Sequence, residues 1–350
     1  VDALDGCRAP AFCAWVEYDT FASDRLFSRT DLPNPDPSAT DPRLTLRFHP
    51  GRRAHGKKDL RCVPPPDAAA LDRIRADLRG AITLTSRAVP SFDARAARRA
   101  LDEVWADYAF AAARAEHAGD FNLLWTARTL RRLEYRTPLV PLGALWDAPG
   151  MMRIVAETLV PFVRENAGFV EAANEAIRES APHDCGMGPR EPGHLPLAVT
   201  DPETGIRFPV RVVRRGADYV IEGAGPVPFA VSVGGAGEDE LLAFLHAHRG
   251  RVTPNVFAPV FLVRAGVGGV LNGKGAIRYT LVVARVLERM FGLAHPPNFL
   301  CAGPYRGADP FAEARAAAGV PPADVEPTLL ARLLASDPAT IRAETAAVWR

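Results

Sequence analysis

Several absences narrow what this chain can be. Its five cysteines, at 7, 13, 62, 185 and 301, are odd in number, scattered and never arranged as C-x-x-C. That pattern argues against a disulfide framework and for a reducing compartment. Neither sign of charge prevails: 42 Lys plus Arg face 41 Asp plus Glu, a net +1. No global field therefore draws the chain to nucleic acid or to an anionic membrane. No apolar run approaches the roughly 18 residues of a membrane span, and the first residues show no basic segment leading into an apolar core. The cytoplasm is the expected compartment. Aromatic residues make up only 8%, and none is interleaved with the basic cluster of His49, His55, Arg52, Arg53, Lys57 and Lys58. A solvated loop is the expectation there, because single-stranded nucleic acid is held by aromatic stacking as well as by charge.

What is present is an ordinary globular balance, 48% apolar and 24% charged, over 350 residues. A chain of that length buries a large core and divides into two domains or one domain with an insertion. Shifts in composition place an N-terminal strand and loop region at 1–66, a helical region of the core at 67–190, an antiparallel β-meander insertion at 191–235, a strand, glycine loop and helix of the core at 236–308, and a helical tail at 309–350.

Strands are expected within 11–19 and 44–50, where β-branched and aromatic residues gather. Asp67 and Asp93 each precede an apolar pattern of helical period, which predicts helices starting there; a third is expected over 121–133. A long helix from Met151 to Ser180 should bend or divide at Pro161 and Gly168. From 195 to 233, short apolar runs alternate with the turns DPETG and RRGAD, the signature of an antiparallel meander. Between these regions, 181–194 is a Gly/Pro-rich linker. Its His183, Asp184, Cys185 and His194 could ligate a metal, but their spacing matches no zinc pattern.

The chain is organised around residues 250–292. An apolar run, Val256 to Val263, leads to glycines at 266, 268, 269, 273 and 275, and then to Ile277, Leu281, Ala284, Leu287 and Phe291 at helical spacing. Strand, glycine turn and helix is the reading. Backbone N–H groups at a helix start carry partial positive charge, so Gly268, Gly269, Asn272, Gly273 and Gly275 form a candidate anion cradle, with Lys274 adding a full charge. Gly268 to Lys274 fits G-x-x-x-x-G-K, but Gly275 stands where a P-loop places Ser or Thr to bind magnesium. The strand-to-helix connection by itself suggests α/β: a Rossmann-like, mostly parallel sheet with a small antiparallel β insertion and extensive helical decoration.

TPNV at 253–256, Pro259, the glycine turn, GAIRY at 275–279 and a helix closing on MFG at 290–292 resemble the C-terminal part of the core in the bacillithiol synthase family, the cysteine-adding enzymes. There, SPNV, Pro, GGPGEIAY and a helix ending in Phe-Gly recur. The stretch 137–180, with Asn174, Glu175 and Ala176, is similar to that family's extended segment and long helix. The resemblance implies a ligase joining an amino acid to a small amine or sugar-like acceptor, with Asn174, Asn255 and Tyr279 positioning substrate and Lys274 stabilising developing negative charge. ATP or ADP are the cofactors it leaves to be tested. Two departures stand beside it: Ala276 occupies the position of the family's Glu, and the family's N-terminal glutamine- and glycine-rich element is missing. With Val1 as first residue, that element is expected upstream or on a partner subunit, and a homo-oligomer is the other assembly in view. The alternative reading is a non-catalytic partner subunit or small-molecule-binding protein.

Overall fold

The structure, a computed structural model, describes residues 15–17, 29–33, 43–47, 58–88, 92–132, 139–180, 187–225, 228–267, 270–272, 279–296 and 298–300. The elements begin with strands β1 (Trp15–Glu17), β2 (Arg29–Pro33) and β3 (Arg43–Arg47). A 3-10 turn (Leu60–Cys62) precedes helices α1 (Ala68–Ala88), α2 (Ala94–Ala112) and α3 (Ala118–Arg132). Strand β4 (Leu139–Pro141) runs straight into α4 (Leu142–Trp146), followed by α5 (Pro149–Arg164) and α6 (Asn166–Glu179). Then come β5 (His194–Thr200), β6 (Arg207–Arg215), β7 (Asp218–Gly223) and β8 (Ala230–Ser232). The chain continues through α7 (Glu238–Ala247), β9 (Val252–Pro254), α8 (Ala258–Arg264), β10 (Val270–Asn272), α9 (Thr280–Phe291) and β11 (Asn298–Leu300). Two compact units divide them. The smaller takes β2, β3, α1 and α2; the larger takes β1, the 3-10 turn and the described elements from α3 to β11.

In the smaller unit, both helices start where side-chain caps predict. Asp67 accepts a hydrogen bond from the Ala70 N–H at 2.6 Å, and Asp93 one from the Ala96 N–H at 2.8 Å. Each satisfies one of the donors that a helix start leaves unpaired. The two helices are tied by Asp102, which accepts from Arg75 and Arg79 at 2.7 and 3.0 Å. Beside that pair, the Arg75 guanidinium lies 5.9 Å from the centre of the buried Trp105 ring.

The larger unit holds a five-stranded sheet in the order β8-β7-β6-β5-β9, with every neighbouring pair antiparallel. This corrects the expectation of a Rossmann-like, mostly parallel sheet. Among the described residues, parallel pairing is limited to β1 with β4 and β10 with β11, three residues each. The reason lies in the connections. Parallel neighbours need a long crossover, whereas tight turns can join only antiparallel strands. Gly216, at φ 65°, links Arg215 to its cross-strand partner Asp218, a conformation glycine adopts without steric cost. Meanwhile α1 to α6 follow one another with only β4 between them among the described elements, so no repeated βαβ unit builds a parallel core there.

On β6, period-2 alternation buries Val210 and Val212 on either side of the exposed Arg211, whereas β5 is buried on both faces from Leu195 to Thr200. Leu195, Leu197, Val199, Val210, Val212, Ile221 and Val252 share the buried inner face with helices α5 to α9. Phe162 sits at the centre of that core, with ring contacts to Phe169 at 4.7 Å, Phe291 at 5.4 Å and Phe261 at 6.3 Å. The division of the long 151–180 helix falls at Glu165, between the two residues expected to cause it. Glu165 has φ −112° and ψ 35°, and α5 ends there four residues after Pro161.

The organising segment differs from its sequence reading in two respects. The apolar run 256–263 is helical, not extended: it forms α8, with Pro259 in the first helical turn. A short apolar run has no period that separates a buried strand from a buried helix, and proline is at home at a helix start. The strand that leads to α9 is β10, six residues beyond α8. The buried face of α9 is also rotated from the expected one. Val282, Val283, Val286 and Leu287 are buried, while Leu281 is 55% exposed.

Candidate functional site

Strand β10, helix α9 and strand β11 form a parallel strand–helix–strand unit, in the register Val270 to Asn298, Leu271 to Phe299 and Asn272 to Leu300. The connection leaving β10 therefore runs from the carboxyl end of a parallel strand to a helix N-terminus, the setting in which backbone N–H groups meet anions. Asn272 is the last residue of β10, and Tyr279 immediately precedes α9. Tyr279 gives the helix no side-chain cap, and the first turn of α9 holds no acidic residue to offset its dipole. The Tyr279 phenol is pushed above its ordinary value by burial. Gly268, Gly269, Gly273, Lys274 and Gly275 lie outside the described residues.

Asn174 and Asn255 lie elsewhere, and both engage backbone. Asn174 donates to the Arg190 carbonyl at 2.9 Å and accepts from the Arg190 N–H at 2.6 Å. Asn255 donates to the carbonyls of Leu195 and Leu197, at 3.2 and 3.1 Å, and accepts from the Phe257 N–H at 3.1 Å. A third asparagine, which no motif singles out, acts alike. Asn166 donates to the carbonyls of Phe162 and His194 and accepts from the Gly193 N–H at 2.8 Å. The three amides thus hold residues 190–197 onto the helices. The first two are linked as well, since the Arg190 guanidinium lies 5.5 Å from the centre of the Phe257 ring. His194, at the head of this segment, has its Nε2 buried without a partner. Burial, and then the nearby Arg190 charge, lower its pKa to about 4.

A polar network unmarked in the sequence lies at the far end of β5. Asp59 is fully buried and accepts from the Arg61 N–H at 3.0 Å, from Arg61 Nε at 3.0 Å and Nη2 at 2.8 Å, and from the Thr200 hydroxyl at 3.2 Å. Arg61 Nη2 also donates to the Gly250 carbonyl at 2.7 Å. Arg207, on the neighbouring strand, donates to the Thr253 hydroxyl and the Pro254 carbonyl at 2.9 and 3.0 Å, and burial lowers its pKa to about 10. Gly250 continues the chain of contacts, its N–H donating to Asp147 at 3.3 Å, while Asp147 pairs with Arg249 at 3.6 Å. This carboxylate and its arginines fasten the 58–63 segment across the sheet end. Hydrogen-bonded partners in this network lie up to 189 positions apart, so no local spacing could have signalled them. Cys62, next in the chain, is an exposed residue whose thiol is partly desolvated, and that desolvation, then the Asp59 charge, raise its pKa.

Among the described residues, no group of three or more His, Cys, Asp or Glu converges as a metal site, and no helix is long and apolar enough to cross a membrane. No family model matches the chain, and no curated protein matches it either.

Proposed function

We propose that the connection between β10 and α9 binds the anionic group of a small-molecule substrate, and that the chain uses it in a ligase-like reaction joining an amino acid to a small amine or sugar-like acceptor. The observation that supports this reading is the parallel β10–α9–β11 unit, whose helix starts with neither a side-chain cap nor an acidic first turn. A helix start placed after a parallel strand favours an anion through the helix dipole. In this reading Asn272, which ends β10, and the glycines 273 and 275, on the connection that follows, meet the anion, Lys274 balances its charge and Tyr279 contacts the substrate. Gly268 and Gly269 precede β10 in the chain and stand outside that connection. ATP and ADP are the first nucleotides to test.

A second reading, ligand binding without bond formation, rests on a different observation. Asn174 and Asn255 spend both ends of their amides on backbone groups, and Ala276 replaces the family's carboxylate.

Thermal unfolding with ATP, ADP, phosphate or cysteine, on the chain and on Lys274→Ala, tests the site. A ligand at about one hundred times its Kd adds roughly 2.7 kcal/mol. At about 2.1 cal/mol/K per residue, that raises the midpoint of a chain this long by about 4 °C. A shift with ATP, ADP or phosphate that Lys274→Ala abolishes supports the site, and none with any ligand overturns it. Mass spectrometry for an amide product then separates the readings: binding without product favours the second.

A further inference from the structure

We draw no further inference here: the strongest candidate, the hollow between α4, α5, α7 and β9 walled by Trp146, Met152, Val155, Leu245 and Val252, leaves the buried Trp146 indole N–H without a partner but has room for about one water molecule, and nothing in the structure shows what else would occupy it.

Discussion

Removing the Asp59 carboxylate is the sharpest test of how the larger unit is held together. In Asp59→Ala, the Arg61 guanidinium loses both side-chain hydrogen bonds to the carboxylate and keeps the one to the Gly250 carbonyl, while the buried Thr200 hydroxyl loses the acceptor it bonds at 3.2 Å. Breaking a buried ion pair from one side costs about 3 to 5 kcal/mol, an upper range here because the Arg61 side chain keeps 22% of its surface exposed while Asp59 has none. Spread over the unfolding entropy of 350 residues, that is a fall of about 4 to 7 °C in Tm, and more if the unit carrying the network melts alone. Urea melts should show a lower midpoint with an unchanged slope. Pairing the substitution with Arg61→Met tests the cause: the double variant should recover part of the loss, since the Arg61 charge no longer stands without its carboxylate. A loss under about 1 kcal/mol in Asp59→Ala, the range of a solvent-screened surface pair, would refute the assignment of this network as a buried fastening.

Four further outcomes rest on particular contacts. Leu287→Ala should cost about 2 to 5 kcal/mol by leaving a cavity under α9, whereas Leu281→Ala, six residues earlier but exposed, should stay within about 0.5 kcal/mol; equal losses in urea melts would contradict the observed helix face. Gly193→Ala should destabilise more than Gly216→Ala: both sit at positive φ, but only at Gly193 would the added Cβ meet a carbonyl oxygen, that of Val212 at 2.6 Å. Substituting Asn255 by Ala should cost about 1 to 3 kcal/mol through the two carbonyls and the N–H left without it, a range that chemical denaturation resolves. For His194, the folded pKa of about 4 lies below the ordinary value near 6.5, so the unfolded chain binds the proton first. Stability should therefore be complete above pH 6.5 and fall between pH 6.5 and 4, by at most about 3 kcal/mol; His194→Gln should flatten that dependence relative to the parent chain.

Local chemistry was legible in the residues themselves. Asp67 and Asp93 announced α1 and α2 because a short acceptor just before an apolar helical period has one place to go, the unpaired N–H groups of the first turn. The turns DPETG and RRGAD announced the meander: Asp201 accepts from the N–H groups of Glu203 and Thr204 at 3.2 Å each, and Gly216 takes the positive φ that its hairpin needs. The division near Glu165 was foreshadowed by Pro161, which has no N–H to continue the helix ladder.

What the residues could not say is which elements would lie beside one another. The run 256–263 has the same apolar content whether extended or helical, and its position after β9 in a crowded core decided for α8. A parallel sheet was expected from a strand at 256–263, a glycine turn and a helix. That run is helix α8, and the short strand before α9 is β10, within the glycine stretch. The strands that dominate the sheet are those joined by tight turns, which pair antiparallel. Asn174 and Asn255 were singled out only by the family resemblance, and the partners of their amides depend on where residues 190–197 pass. Asp59 and Thr200 are 141 positions apart. The sequence by itself determined the elements whose signals sit within one turn of helix or one hairpin, because those hydrogen bonds close locally. Strand pairing, the buried face of α9 and the Asp59 network were decided only by tertiary structure, since each depends on burying groups against partners that the chain order does not bring together.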